Sequence, residues 1–179
     1  MSDFVSDIDA IRRRARAHME DGAVTKANRA NHAEVVRVLN DVLATEITCV
    51  LRYKRHYYMA SGLNSEAIRA EFLQHAQEEQ AHADAVSERI TQLNGAPDLN
   101  PATLTERSHA EYAEGKTLVD MLKEDLVAER IAIESYGEII RWLGERDPTT
   151  RRVIERILEQ EEEHAEDLKT LLEGISAKE

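Results

Sequence analysis

Charged residues recur at the centre of apolar helical stripes, and this conflict constrains the chain more than any other feature. Four long segments follow one another from His32, each with apolar residues at steps of three and four, the period of a helix buried on one side. The first aligns Val35, Leu39, Val42, Glu46, Cys49 and Tyr53, and the second Ile68, Phe72, His75, Glu79, His82, Val86 and Leu93. The third aligns Leu118, Leu122, Asp125, Glu129, Ala132, Tyr136 and Ile140, and the fourth Ile154, Ile157, Glu161, His164, Leu168 and Leu171. Acids, with histidines in two of the segments, sit at mid-stripe in all four. A fold that buries these stripes must also neutralise what they carry.

The breaks at Ser61-Gly62, Asn94-Gly95-Ala96-Pro97 and Asp147-Pro148 carry helix-stop chemistry. Connections one–two and three–four are short, whereas Gly95 to Gly115 is long enough to return along a helix of roughly 40 Å. Helices two and three are therefore expected to run parallel through a crossover, within an all-α four-helix bundle. An internal repeat agrees: Glu46 and Glu129 are 83 residues apart, as are Tyr53 and Tyr136, while Glu79 and Glu161, and His82 and His164, are 82 apart. The chain reads as two helical hairpins related by a pseudo-twofold axis.

Composition narrows the alternatives. Aromatic residues make up 4% of the 179 residues, with 7 Gly and 3 Pro, too few for an all-β fold. A single cysteine, Cys49, removes internal disulfides, Cys-rich zinc sites and redox pairs, and reads as a small core residue. Thirty-five Asp and Glu against 23 Lys and Arg give a net charge of -12, which disfavours nucleic acid and anionic membrane and favours cations. No run approaches a membrane span and no signal-peptide core is present, so a cytoplasmic protein is expected. Residues 1–31 read as an N-terminal arm with a short helix, and 32–175 as the bundle. The cluster Arg12, Arg13, Arg14 and Arg16 in that arm is nearly neutralised by Asp3, Asp7, Asp9, Glu20 and Asp21, and reads as a solvated or interface helix.

Glu79-x-x-His82 and Glu161-x-x-His164 each place a carboxylate and an imidazole one turn apart, and helices one and three add Glu46 and Glu129. One Glu from each of two helices and one Glu-x-x-His from each of the others is a dinuclear metal pattern of four-helix bundles. Four ionised glutamates in an apolar bundle repel one another and cost several kcal/mol each in desolvation, which two divalent cations would cancel. A carboxylate and imidazole donor set suits iron or manganese better than calcium or structural zinc.

On these residues the sequence resembles the bacterioferritins of the ferritin-like superfamily over roughly residues 33–172. The stretches LNDVLATEITCVLRY, EEQAHADAVSERITQLNGAPDL, MLKEDLVAERIAIESYGEII and VIERILEQEEEHAEDL look like the four family helices in order. The resemblance implies a ferritin-like bundle with a ferroxidase centre of two iron ions per subunit, in which Glu79 and Glu161 bridge the metals. Glu46 with His82, and Glu129 with His164, would complete its two ends. It also suggests Tyr53 as an electron donor or hydrogen-bond partner beside the centre. Gln80 stands where bacterioferritins carry the methionine that ligates haem, so haem is not expected. The chain runs only fifteen residues beyond His164, too short for the family's fifth helix, which leaves the size of the expected homo-oligomeric cage open.

The function this implies is oxidation of Fe(II) by O2 or H2O2 for iron storage or detoxification. A non-storage di-iron or di-manganese peroxidase or oxidase is the alternative enzyme, distinguished by a small oligomer. A DNA-protecting mini-ferritin cage is the alternative from the binding class, although its centres lie between subunits. Among the remaining polar residues, His75 reads as an ordinary hydrogen-bonded histidine in preference to an iron site with Glu78, and His18, His32, His56 and His109 read as surface residues.

Overall fold

The computed structural model describes residues 5–62 and 65–176, so the first four residues of the arm, Asp3 among them, lie outside the described residues. Its helices are α1 (Ile8–Ala15), α2 (His32–Met59), α3 (Ser65–Gln92), α4 (Leu104–Arg107), α5 (Leu118–Leu143) and α6 (Pro148–Ser176), and no strand occurs among the described residues. The chain is all-α. Four long helices form the bundle, with α2 against α3 and α5 against α6 as antiparallel hairpins.

Local chemistry sets the ends. The hydroxyl of Thr117 accepts from the Asp120 N–H while the Asp120 side chain accepts from the Thr117 N–H, closing a capping box at the start of α5. At the start of α6, Asp147 accepts from the Thr150 N–H at 3.0 Å, and Pro148 takes the first helical position, where its missing N–H costs nothing. α3 ends through Asn94 in the left-handed region and Gly95, where a Cβ would come within 2.7 Å of Val36. Only glycine lets the chain turn that close to α2.

The crossover is pinned along α2 in ascending order. Asn40 bonds Ala96 and Asp98, the Thr45 hydroxyl accepts from the His109 N–H, Arg52 donates to the Glu111 carbonyl, and His56 meets the Glu114 carbonyl. α3 and α5 therefore run parallel. The short helix α4, within this crossover, was not signalled by any periodic pattern. Near its far end Asp125 of α5, fully buried, faces Arg52 at 3.0 Å and His56 at 2.8 Å. His56 is thus a core residue and not the surface residue expected, because Asp125 of α5, Phe72 of α3 and the Glu114 carbonyl of the crossover together enclose its ring.

The apolar core is split in two. One cluster joins Val35, Leu39, Val42, Val86, Ile90, Leu143, Ile154 and Ile157, with Val24 and Ala30 of the arm packed against it. The other joins Cys49, Ile68, Phe72, Ala76, Met121, Leu122 and Leu168. α1 buries nothing, and its arginines are exposed, Arg12 pairing with Asp9 at 3.4 Å. Arg29 N–H donates to the Arg146 carbonyl, tying the rest of the arm to the α5–α6 turn. Among the described residues no helix is long and apolar enough to cross a membrane.

Candidate metal centre

Between the two apolar clusters lies a layer of six polar side chains: Glu46 from α2, Glu79 and His82 from α3, Glu129 from α5, and Glu161 and His164 from α6. None is more than 5% exposed. The helical stripe brings each inward, and the antiparallel pairing within each hairpin puts them at one level.

Their geometry divides into two overlapping groups. Glu46, Glu79, His82 and Glu161 can each bring one donor atom within 4.8 Å of the others, and so can Glu79, Glu129, Glu161 and His164. Glu79 and Glu161 belong to both because their oxygens diverge. Glu79 points Oε2 at His82 Nδ1, 3.7 Å away, and Oε1 at His164 Nδ1, 3.4 Å away. Glu161 does the same with Oε1 at 3.2 Å from His82 and Oε2 at 3.6 Å from His164. Glu46 Oε2 lies 3.2 Å from His82 Nδ1, and Glu129 Oε2 lies 3.9 Å from His164 Nδ1.

Both imidazoles turn Nδ1 to the centre, and their outer nitrogens are held. His82 Nε2 meets Gln160 Oε1 at 2.9 Å, and His164 Nε2 meets Glu78 Oε2 at 3.0 Å. Such outer partners fix ring orientation at metal-ligating histidines. The tyrosines cross over: Tyr53 of α2 donates to Glu129 of α5, and Tyr136 of α5 donates to Glu46 of α2. Tyr53 therefore sits beside the centre, bound to one of its carboxylates. Tyr136 was visible in the sequence as its repeat partner, whereas Gln160 carried no signal except its place one residue before Glu161, as Glu78 precedes Glu79.

The electrostatics are unbalanced. Burial, then the Glu79 charge, pushes Glu46 up to about 8. Burial, then Glu79, Glu129 and Glu46, pushes Glu161 well above the carboxylate range. Burial also works against the Glu79 charge, but the facing His164 and His82 hold that carboxyl below its ordinary value. Both imidazoles are raised: burial opposes their charge, and the carboxylates overcome it, led by Glu161 for His82 and Glu129 for His164. The centre thus satisfies itself with protons in place of cations. Even so, Glu79 Oε1, Glu129 Oε2, both oxygens of Glu161 and His164 Nδ1 are buried without a hydrogen-bond partner. Unpartnered buried atoms of this kind cost about 1–3 kcal/mol each, and these converge on one space. Four carboxylates and two inward-facing imidazole nitrogens, which give up their protons to bind, fit a pair of divalent cations.

His75 and Gln80 remain. His75, fully buried one turn before Glu79, hydrogen-bonds Tyr53 through Nδ1 at 3.2 Å and stacks on His164 with ring centroids 4.1 Å apart. Gln80 points away from the centre and donates to Asp84 at 3.0 Å.

The chain as a whole is similar to known proteins. Residues 36–177 match the family model of the ferritin-like domain. A bacterioferritin of Desulfovibrio desulfuricans is 28% identical over 133 residues, covering 74% of this chain and 70% of that protein. A DNA protection during starvation protein of Pyrococcus furiosus is 32% identical over 145 residues, covering 79% and 78%. Among solved structures, a dodecameric thioferritin, the bacterioferritin-related protein of Bacteroides fragilis, superposes with a TM-score of 0.80 at 30% identity, covering 84% of this chain and 90% of that one.

Proposed function

Since this chain belongs to the ferritin-like domain family, we propose that it oxidises Fe(II) with O2 or H2O2 at a dinuclear centre inside each subunit and sequesters the ferric product. The observation that carries the reading is the divergence of Glu79 and Glu161, each of which offers one oxygen to the His82 side and one to the His164 side. That is the disposition of bridging ligands. Glu46 with His82 and Glu129 with His164 are the terminal sets. Two iron ions held there would supply the electron pair that reduces the oxidant; manganese suits the same donors.

The protein's own part follows from its side chains. Four carboxylate charges match two divalent ions, so binding releases the protons that the metal-free centre holds. Gln160 and Glu78 orient the imidazoles, and the Tyr53 and Tyr136 hydroxyls orient the terminal carboxylates. The flanking apolar clusters exclude bulk water, which strengthens each of these contacts.

We further propose that residues 32–175 are the working unit, assembled as a homo-oligomeric cage; the dodecameric B. fragilis relative supports a cage of that kind. The test is the rate of Fe(II) oxidation, followed optically, in the wild-type chain, Glu79→Ala and Glu161→Ala. Both variants are expected to fold, by circular dichroism, and to lose the rapid phase. Unchanged kinetics in both would refute the proposal. Size-exclusion mass with iron loading separates storage in a cage from turnover in a small oligomer.

A further inference from the structure

One turn of α3 and one turn of α6 beyond the central layer, a second group of donors gathers around His75. Glu71 Oε1 lies 3.3 Å from His75 Nε2, and Asp167 Oδ2 lies 3.9 Å from it. Donor atoms from the three residues fall within 4.8 Å of one another. Burial differs from that of the central layer: the His75 side chain is fully enclosed, whereas those of Glu71 and Asp167 are 29% and 48% exposed. The group opens to solvent.

Hydrogen-bond stereochemistry fixes what His75 presents there. The one proton of the Tyr53 hydroxyl goes to Glu129, so the contact between His75 Nδ1 and the Tyr53 oxygen requires Nδ1 to be the donor. In the neutral ring Nε2 is then a bare lone pair. It is fully buried, without a hydrogen-bond partner, and faces two carboxylates. Lone pair against carboxylate is repulsive, and a cation between them turns the same three groups into a ligand set.

The internal repeat supplies a control. At its offset of 82, Glu71, His75 and Asp167 correspond to Val153, Ile157 and Ala85, and Ile157 and Val153 lie in the first apolar cluster. The ligands and tyrosines of the central layer are duplicated by the repeat, but this polar group is not. Bundle symmetry and generic helix solvation therefore do not account for it.

We propose that Glu71, His75 and Asp167 form a third cation site in each chain, open to solvent and suited to a first-row divalent ion. Two carboxylates and a neutral imidazole cancel its charge, and water completes the shell through the exposed edge. Through His75 the site joins the centre twice, by the ring stack on His164 and by the hydrogen-bonded line from His75 to Tyr53 to Glu129. An ion held there stands on a continuous polar line from solvent to the buried layer. The proposal does not depend on the dinuclear reading.

Crystals of the full chain soaked in Zn(II) and measured at the zinc edge test it, with equilibrium dialysis in solution as the second readout. An anomalous peak about 2.0–2.2 Å from His75 Nε2 is expected, together with the loss of one bound ion per chain in the double variant Glu71→Gln/Asp167→Asn, whose changes lie at the exposed edge. No peak beside His75, which would mean that His75 is only a protonated ion-pair partner, overturns the proposal. So does a peak there that the double variant retains. In Glu79→Ala the His75 peak is expected to persist while the central peaks disappear. A His75 peak in wild-type crystals without central peaks upholds this site and overturns the dinuclear reading instead.

Discussion

Glu46 offers a test of whether the central layer is built for cations or for stability, because the two purposes predict opposite signs for one substitution. Its carboxyl, buried and facing Glu79, is pushed from an ordinary 4.5 up to about 8. Between those values the folded chain holds a proton that the unfolded chain releases, so stability falls as pH rises, by about 1.4 kcal/mol per pH unit. At about pH 7 the accumulated penalty is about 3 kcal/mol. Glu46→Gln keeps the shape, keeps an oxygen for the Tyr136 hydroxyl, and needs no proton. In EDTA the variant should therefore match the wild type near pH 4.5 and exceed it increasingly up to about 3 kcal/mol at neutral pH, as measured by urea unfolding across pH. With Mn(II) in about one-hundredfold excess over Kd, the wild type should gain about 2.7 kcal/mol, and the variant, having lost one carboxylate ligand, much less. A metal-free variant less stable than the wild type at neutral pH, with no gain growing with pH, would refute the view that this carboxyl awaits a cation.

Tyr53→Phe and Tyr136→Phe each free a terminal carboxylate from its hydrogen bond; each should fold normally and bind Mn(II) about 10–100-fold more weakly, and unchanged affinity in both would deny the hydroxyls an orienting role. Divalent-ion affinity should rise with pH through about 8, where Glu46 loses its proton, and beyond it, because His82 and His164 also hold protons above their ordinary values that a cation must displace; calorimetry in buffers of different ionisation enthalpy should report the released protons, and buffer-independent heats would contradict this. Asp147→Ala removes the cap of α6 and strands Arg89, which lies 3.1 Å from that carboxylate and is 6% exposed; a loss of about 3–5 kcal/mol in urea unfolding is expected, and a loss below about 1 kcal/mol would show that the pair is dispensable. Burial works against the Asp147 charge, but Thr150 and Arg89 hold it below its ordinary 3.8, so its contribution is present above that pH and fades as pH falls through the lower folded value.

How much of this was legible in the sequence depends on which elements cover which faces. Helix-on-helix burial writes itself into a period, so the four stripes, their interruption by acids and the offset of the two hairpins could all be read before any coordinate. The grouping of Glu46, Glu79, His82, Glu129, Glu161 and His164 at one level follows from those registers. The crossover has no period. Its path over α2 buries Arg52 and His56 against Asp125 without leaving a helical pattern, and the only written sign was Asp125 itself on an apolar stripe with no partner named. Long-range partners such as Gln160 for His82 are likewise invisible to spacing, because they depend on how far one hairpin is rotated against the other.

The departures from internal symmetry carry more information than the symmetry itself. A duplicated hairpin with a pair of equivalent metal positions would need only the repeated residues, and these are present: four glutamates, two histidines and two crossed tyrosines. Yet the His82 ring leans on the amide of Gln160 and the His164 ring on the carboxylate of Glu78. A carboxylate behind an imidazole raises its basicity and strengthens its hold on a cation more than an amide does. The side so strengthened is also the one bordered by His75, Glu71 and Asp167, where the mirror positions are Ile157, Val153 and Ala85. Negative charge is therefore graded across the bundle, from the apolar flank beside the Glu46 and His82 end to the solvent-facing group beyond the Glu129 and His164 end. Two cations held at otherwise equivalent positions in such a gradient would differ in affinity, and the stronger site would be the one nearer the opening.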